Sequence, residues 1–149
     1  MSIDTINLWH KRARPEPTYA DFNVQLGCHF EEIAEMLVAL EGDNAPTRNQ
    51  LSNARMTIMT LADGFKSGRF EAYASPRAEF LDSLADQVVT AIGTGHCDGF
   101  DMVEALRIVD ESNWSKFDFN GLPTFNEAGK ITKGPKYKAP DLTDVVGVK

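Results

Sequence analysis

Apolar residues in this chain recur every three or four positions and almost nowhere alternate. That period belongs to helices and leaves little from which to build a sheet. A short first helix is expected over about Ile3 to Lys11, ending before Pro15 and Pro17. From Tyr19 to Leu40, the residues Phe22, Leu26, Phe30, Ile33, Leu37 and Leu40 fall on one helical face. At ~100° per residue they span an arc of about 80°, a core-facing stripe. GDNAPT then breaks the helix, and Thr47 with Gln50 reads as a capping box opening a third helix through Leu51, Ala54, Ile58, Leu61 and Phe65. Ser75-Pro76 reads as an N-cap followed by proline at the first helical position. The fourth helix would bury Phe80, Leu81, Leu84, Ala85, Val88 and Ile92, and weaken at Gly93 and Gly95. A fifth is expected from about Asp101 to Asn113, carrying Met102, Ala105, Leu106 and Val109. After Trp114 the chain turns rich in Gly, Pro and Lys, which is loop or tail. The expected fold is all-α: a four-helix-type bundle with an additional short N-terminal helix and an irregular C-terminal tail. A single domain over 1–149 is expected, with its helical body at about 19–116 and its tail at 117–149.

Length and composition exclude several classes. At 149 residues and 42% hydrophobic, the chain suits one domain. Fifteen Lys and Arg against 22 Asp and Glu give a formal charge of −7, which argues against a nucleic-acid polymer as partner. No apolar run approaches the ~20 residues that cross a bilayer, so no membrane partner is expected. The N-terminal MSIDTINLWHKRARPEP lacks the apolar stretch of a secretory signal. Two cysteines, Cys28 and Cys97, are too few for a disulfide framework and suit a reducing compartment. A soluble, cytoplasmic, acidic protein is the expectation.

Two acidic stripes border the apolar faces. Glu31, Glu32 and Glu35 form one in FEEIAEML, and Glu79, Asp82 and Asp86 form the other in EFLDSLAD. Like charges three or four residues apart on a helix repel. Two readings stay open for them: solvated helix faces, or a site for a hard divalent cation such as Mg²⁺, which prefers oxygen ligands and bridges to phosphates. Other metals fit poorly. A ferritin-like di-iron site needs Glu-x-x-His units, and the residues three before His10, His29 and His96 are Asn7, Leu26 and Gly93. Cys28-His29 and His96-Cys97 are adjacent pairs that diverge by ~100° on a helix, too far for one tetrahedral zinc.

Positive charge concentrates late in the chain, at Lys116, Lys130, Lys133, Lys136 and Lys138. Gly129 and Gly134 permit close backbone approach. By composition this stretch is either a disordered basic tail or a loop that holds a polyphosphate.

The order EEIAE, DSLAD, GTGHCDGFDMVEALRIVDESNWSKFD and NGLPTFNEAGKITKGPKYKAPDL resembles the all-α nucleoside triphosphate pyrophosphatases, over roughly Asp21 to Leu142. Within them it is most similar to MazG-like and phosphoribosyl-ATP pyrophosphohydrolase-like proteins. The resemblance implies that Glu31, Glu32, Glu35, Asp82 and Asp86 are metal ligands for Mg²⁺, with Mn²⁺ as a substitute. Glu32 or Glu35 would orient or deprotonate the attacking water. Asn113, Lys116, Lys130, Lys133 and Tyr137 would surround the nucleotide and its phosphates. The family's second motif is ExxD; here Ser83 stands where its Glu would be if Asp86 is its Asp, so Asp82 and Asp86 are preferred and Glu79 is kept as an outer residue. The implied activity is cleavage between the α- and β-phosphates of a nucleoside triphosphate, giving the monophosphate and pyrophosphate. A homodimer or homotetramer is implied by the same analogy. The alternatives are a phosphoribosyl-ATP pyrophosphatase and a non-catalytic helical module that binds other proteins.

Overall fold

The structure, a computed structural model, describes residues 3–147. The ends of the expected 1–149 span, residues 1–2 and 148–149, lie outside the described residues. Five α-helices follow one another: α1 (Ile3–Ala13), α2 (Tyr19–Val38), α3 (Ala45–Lys66), α4 (Arg77–Cys97) and α5 (Met102–Trp114), then a 3-10 turn at Thr143–Val145. No β-strand is present among the described residues. The chain is all-α, and the four longer helices expected of the bundle are all formed. They belong in pairs to two compact units. One comprises 16–72 and 125–130, and the other 1–15, 73–124 and 131–149.

The first unit is a helical hairpin of α2 and α3. Thr18 opens α2 with a reciprocal capping box: its hydroxyl accepts from the Asp21 N–H, and the Asp21 carboxylate accepts from the Thr18 N–H. The start of α3 differs from expectation. Asn44 is the cap; its Oδ1 accepts from both the N–H and the hydroxyl of Thr47, at 2.9 Å each. Thr47 therefore spends its hydroxyl on Asn44, and the helix begins at Ala45. Small residues let α2 and α3 approach closely. A Cβ on Gly27 would lie 2.8 Å from the Ala62 carbonyl oxygen, and Ala34 and Ala62 are fully covered. Phe65 fills the base of the hairpin, its ring stacked on Phe30 at 5.9 Å and edge-on to Phe70 at 6.1 Å. Buried Asn23 ties the chain after α3 to α2, accepting from the Ala72 N–H at 2.8 Å while donating to the Tyr19 carbonyl.

In the second unit, Trp9, Ala13 and Phe117 form the buried core, flanked by Trp114 and Ile131. The Trp9 indole N–H donates to the Asn113 carbonyl at 2.8 Å, and Thr5 donates to Asp110 at 2.8 Å, so α1 is fastened to α5. α4 begins at Arg77, one residue later than a Ser75 cap predicts, because Pro76 takes the cap position in extended backbone with no side-chain bond to the first turn. It does not fray at its glycines but runs through Gly93 and Gly95 to Cys97. Gly95 has a use: Met102 of α5 packs where its Cβ would be.

The burial expected for α4 does not occur. Phe80 and Leu84 are half-buried, while Leu81, Ala85, Val88 and Ile92 are exposed. Among the helices of its unit α4 packs on α5 alone, so one stripe stays uncovered by the described residues. The tail is irregular but anchored. Ser112 donates to the Lys138 carbonyl and Lys138 N–H donates to Ser115, each at 2.8 Å. Composition alone allowed a disordered basic tail, but backbone and hydroxyl bonds hold this segment on α5.

Two helical glycines test this packing. Gly64→Ala would drive a methyl into the Phe70 ring and should destabilise by about 1–3 kcal/mol. Gly93→Ala, with open space around its Cβ, should stabilise by about 0.5–1 kcal/mol. Urea midpoints of the two variants should move in opposite directions.

Candidate functional site

The α2 stripe divides into one engaged carboxylate and two open ones. Glu31 is largely covered, and each of its oxygens receives a lysine: Lys66 at 2.7 Å on Oε1 and Lys130 at 2.6 Å on Oε2. Lys66 comes from the last turn of α3, where Asp63 also lies 3.4 Å from its ammonium. Lys130 closes a tight turn in which Asn126 donates its N–H to the Lys130 carbonyl and accepts the Lys130 N–H on its side chain. Partial burial alone would push the Glu31 carboxyl up, but the hydrogen bonds from Lys130 and Lys66 outweigh it and hold it below the usual carboxylate range. The same pairing raises both lysines: against desolvation for Lys66, and chiefly through the Glu31 hydrogen bond for Lys130. Burial pushes the Cys28 thiol up, only partly offset by Lys130 and Lys66. Glu32 and Glu35 are exposed to solvent.

Four of the five residues expected around the phosphates meet in the other unit. The Lys116 ammonium donates to the Asn113 side-chain oxygen at 2.7 Å and lies 5.9 Å from the centre of the Trp9 ring. The Lys116 carbonyl accepts the Gly134 N–H at 2.9 Å, and the Gly134 carbonyl in turn accepts the Tyr137 N–H. Lys133 then sits over the Tyr137 ring at 4.6 Å. Gly134 is obligatory here, since its Cβ would overlap the Lys116 carbonyl. The fifth residue, Lys130, is the one paired with Glu31 in the hairpin unit.

Asp82 and Asp86 lie one turn apart on α4 with Glu79 one turn before, all exposed, in the unit that does not contain α2. Among the described residues, no group of three or more His, Cys, Asp or Glu side chains converges as ligands of one ion. Sequence reasoning missed Lys66. Its only local sign was Asp63 three residues earlier, because the partner that matters lies 35 residues away in the chain. It also missed Trp9 beneath Lys116. No family model, curated protein or solved structure matches the chain.

The depressed Glu31 carboxyl has a definite stability signature. A group whose folded pKa is lowered contributes stability above its unfolded value, about 4.3 for glutamate, and loses it as pH falls through the folded value. The raised lysines contribute below about 10.4 and lose that contribution as pH rises through their folded values. Glu31→Gln should cost about 1–2 kcal/mol at pH 7, between the worth of exposed and buried pairs. The difference from wild type should shrink at both ends, below pH 4 and above pH 11. Urea unfolding across pH measures it; a constant offset at all pH values would refute the ion-pair account.

Proposed function

We propose that this chain is a Mg²⁺-dependent nucleoside triphosphate pyrophosphohydrolase, cleaving between the α- and β-phosphates to release a monophosphate and pyrophosphate. The observation that carries this reading is the meeting of Asn113, Lys116, Lys133 and Tyr137 around one backbone junction. Two ammonium groups, an amide and an aromatic ring are a reasonable donor set for a nucleotide's phosphates and base. Each unit also carries exposed carboxylates, Glu32 and Glu35 on α2 and Asp82 and Asp86 on α4. Glu32, Glu35, Asp82 and Asp86 offer oxygen alone, the chemistry that Mg²⁺ or Mn²⁺ takes and that softer metals do not favour. Glu31 extends that set from the edge of the α2 stripe.

Mg²⁺ held by these carboxylates would supply Lewis-acid polarisation of phosphate oxygens and of the attacking water. The residues of the chain do the rest. Glu32 and Glu35, three residues apart on one helix, orient the attacking water and accept its proton. Lys116 and Lys133 balance the charge that develops on the departing pyrophosphate. Asn113 and Tyr137 position the nucleotide. The family resemblance over Asp21 to Leu142 supports the same assignment.

The active form in this reading is a homodimer or homotetramer. Leu81, Ala85, Val88 and Ile92 fall within ~60° on α4 with Val89 beside them, and Leu81 and Val89 keep 68% and 66% of their surface exposed. Among the described residues of the second unit, only Trp9, Ala13 and Phe117 are buried apolar residues, so this stripe is apolar surface left over from a small core. A second copy of the chain is the occupant proposed for it, since apolar stripes of this kind mark association surfaces.

Turnover of a panel of NTPs, dNTPs and phosphoribosyl-ATP with Mg²⁺ tests the activity. Glu35→Gln and Asp86→Asn should each lose at least about 10²-fold in kcat. Full activity in both would overturn the site, preference for phosphoribosyl-ATP would change the substrate, and silence on every substrate would favour a protein-binding module. Sedimentation tests the assembly: wild type should sediment as a dimer or larger, and Leu81→Glu with Val89→Glu as a monomer. A monomeric wild type at tens of micromolar would refute the α4 interface.

A further inference from the structure

We propose that the second unit carries a binding surface for single-stranded nucleic acid, with Phe119 and Tyr137 as stacking platforms for bases and Lys133 and Lys136 as partners for the adjoining phosphates. Lys133 and Tyr137 also belong to the nucleotide site proposed above. Phe119 and Lys136 do not, and hydrolysis plays no part in the contact.

The formal charge of −7 argues against a phosphate polymer for the chain taken whole, so the local distribution decides. Residues 114–124 and 131–138 hold Lys116, Lys133, Lys136 and Lys138 against one acid, Asp118. That acid is occupied: its Oδ1 accepts from the N–H groups of Asn120 and Leu122 at 2.8 Å each. Among the described residues, neither the Lys133 nor the Lys136 ammonium pairs with a carboxylate. Each lies instead over an aromatic ring, Lys133 over Tyr137 at 4.6 Å and Lys136 over Phe119 at 5.8 Å.

Phe119 is 76% exposed, yet the turn that carries it is firmly built. Asp118 N–H donates to the Leu122 carbonyl at 2.9 Å, Gly121 N–H to the Asp118 carbonyl at 3.1 Å, and Arg12 of α1 to the Gly121 carbonyl at 3.0 Å. Gly121 supplies the φ of +72° that this turn requires. Lys136 and Tyr137 are held from both sides, because Gly134 and Lys138 donate their N–H groups to Lys116 and Ser115 just past α5. The platforms are therefore in place before any ligand arrives.

An ammonium beside an accessible flat ring matches a nucleotide, in which base and phosphate arrive together. The pairing occurs twice, over the five residues 133–137 and the turn that Lys136 reaches, which suits successive nucleotides of one strand. A duplex hides its base faces and an acidic peptide has no base to stack, so neither uses the rings. If the lysine stems merely shielded the rings from water, the cations would attract every polyanion alike.

Fluorescence anisotropy of the full chain with a labelled oligodeoxythymidine of about ten nucleotides, in EDTA so that no turnover intervenes, tests the surface. At low salt the strand should bind at least about fivefold tighter than its duplex with oligodeoxyadenosine, and than polyglutamate. Phe119→Ala removes a largely exposed ring and should weaken strand binding at least about fivefold, the worth of one stacked base, with the urea midpoint unchanged. Lys136→Gln should reduce the slope of log affinity against log salt by about 0.7. No binding at low salt, equal binding of strand, duplex and polyglutamate, or full affinity in Phe119→Ala would each overturn the surface. Strand binding without hydrolysis of any triphosphate defeats the hydrolase reading alone, and hydrolysis without strand binding defeats the surface alone.

Discussion

One carboxylate holding two ammonium groups organises the hairpin unit. Glu31 joins three separate stretches of chain: α2 through its own backbone, the end of α3 through Lys66, and the returning segment 125–130 through Lys130. Apolar packing inside this hairpin is only partly closed: Phe65 and a few small residues are buried, while Phe22, Leu26, Phe30, Ile33 and Leu37 stay half-buried. A double ion pair at its open side therefore matters more than it would above a full core. It also fixes the chemistry nearby, since it spends the most covered acid of the stripe and leaves Glu32 and Glu35 facing water.

The second unit solves a different problem. Its helices bury little of one another, and what secures them is a ring of hydrogen bonds from α1 and the tail onto α5. Trp9 on the Asn113 carbonyl, Ser112 and Ser115 on Lys138, and Gly134 on the Lys116 carbonyl all converge on the last turn of α5. The same bonds that give an irregular tail its place also gather Asn113, Lys116, Lys133 and Tyr137. Structural anchoring and candidate phosphate recognition are here the same set of contacts, which makes Gly134 as consequential as any charged residue.

Much of this was legible in the sequence because helical period is a local signal. The five helices fall within a few residues of where the spacing of Phe22, Leu26, Phe30 and their equivalents puts them. The misplaced starts of α3 and α4 have local causes: Asn44 outcompetes Thr47 as a cap, and Pro76 occupies a position that Ser75 was expected to fill. Burial was less legible. An apolar stripe says that a face wants cover, not what covers it, and on α4 the spacing of Leu81, Val88 and Ile92 marks exposed surface rather than an internal core. Long-range pairing was not legible at all. Nothing local to Lys66 or Lys130 announces that both reach Glu31, across 35 and 99 residues of chain.

Exposed carboxylates in both units, an ion-paired Glu31 and an anchored basic loop acquire a common purpose if the chain hydrolyses nucleoside triphosphates at the α-phosphate. Phosphorus NMR of a deoxynucleoside triphosphate incubated with the protein and Mg²⁺ tests that claim most directly, because it identifies the bond that breaks. The account predicts equal growth of monophosphate and pyrophosphate resonances with no orthophosphate. Orthophosphate with a diphosphate, or an unchanged triphosphate, would contradict it.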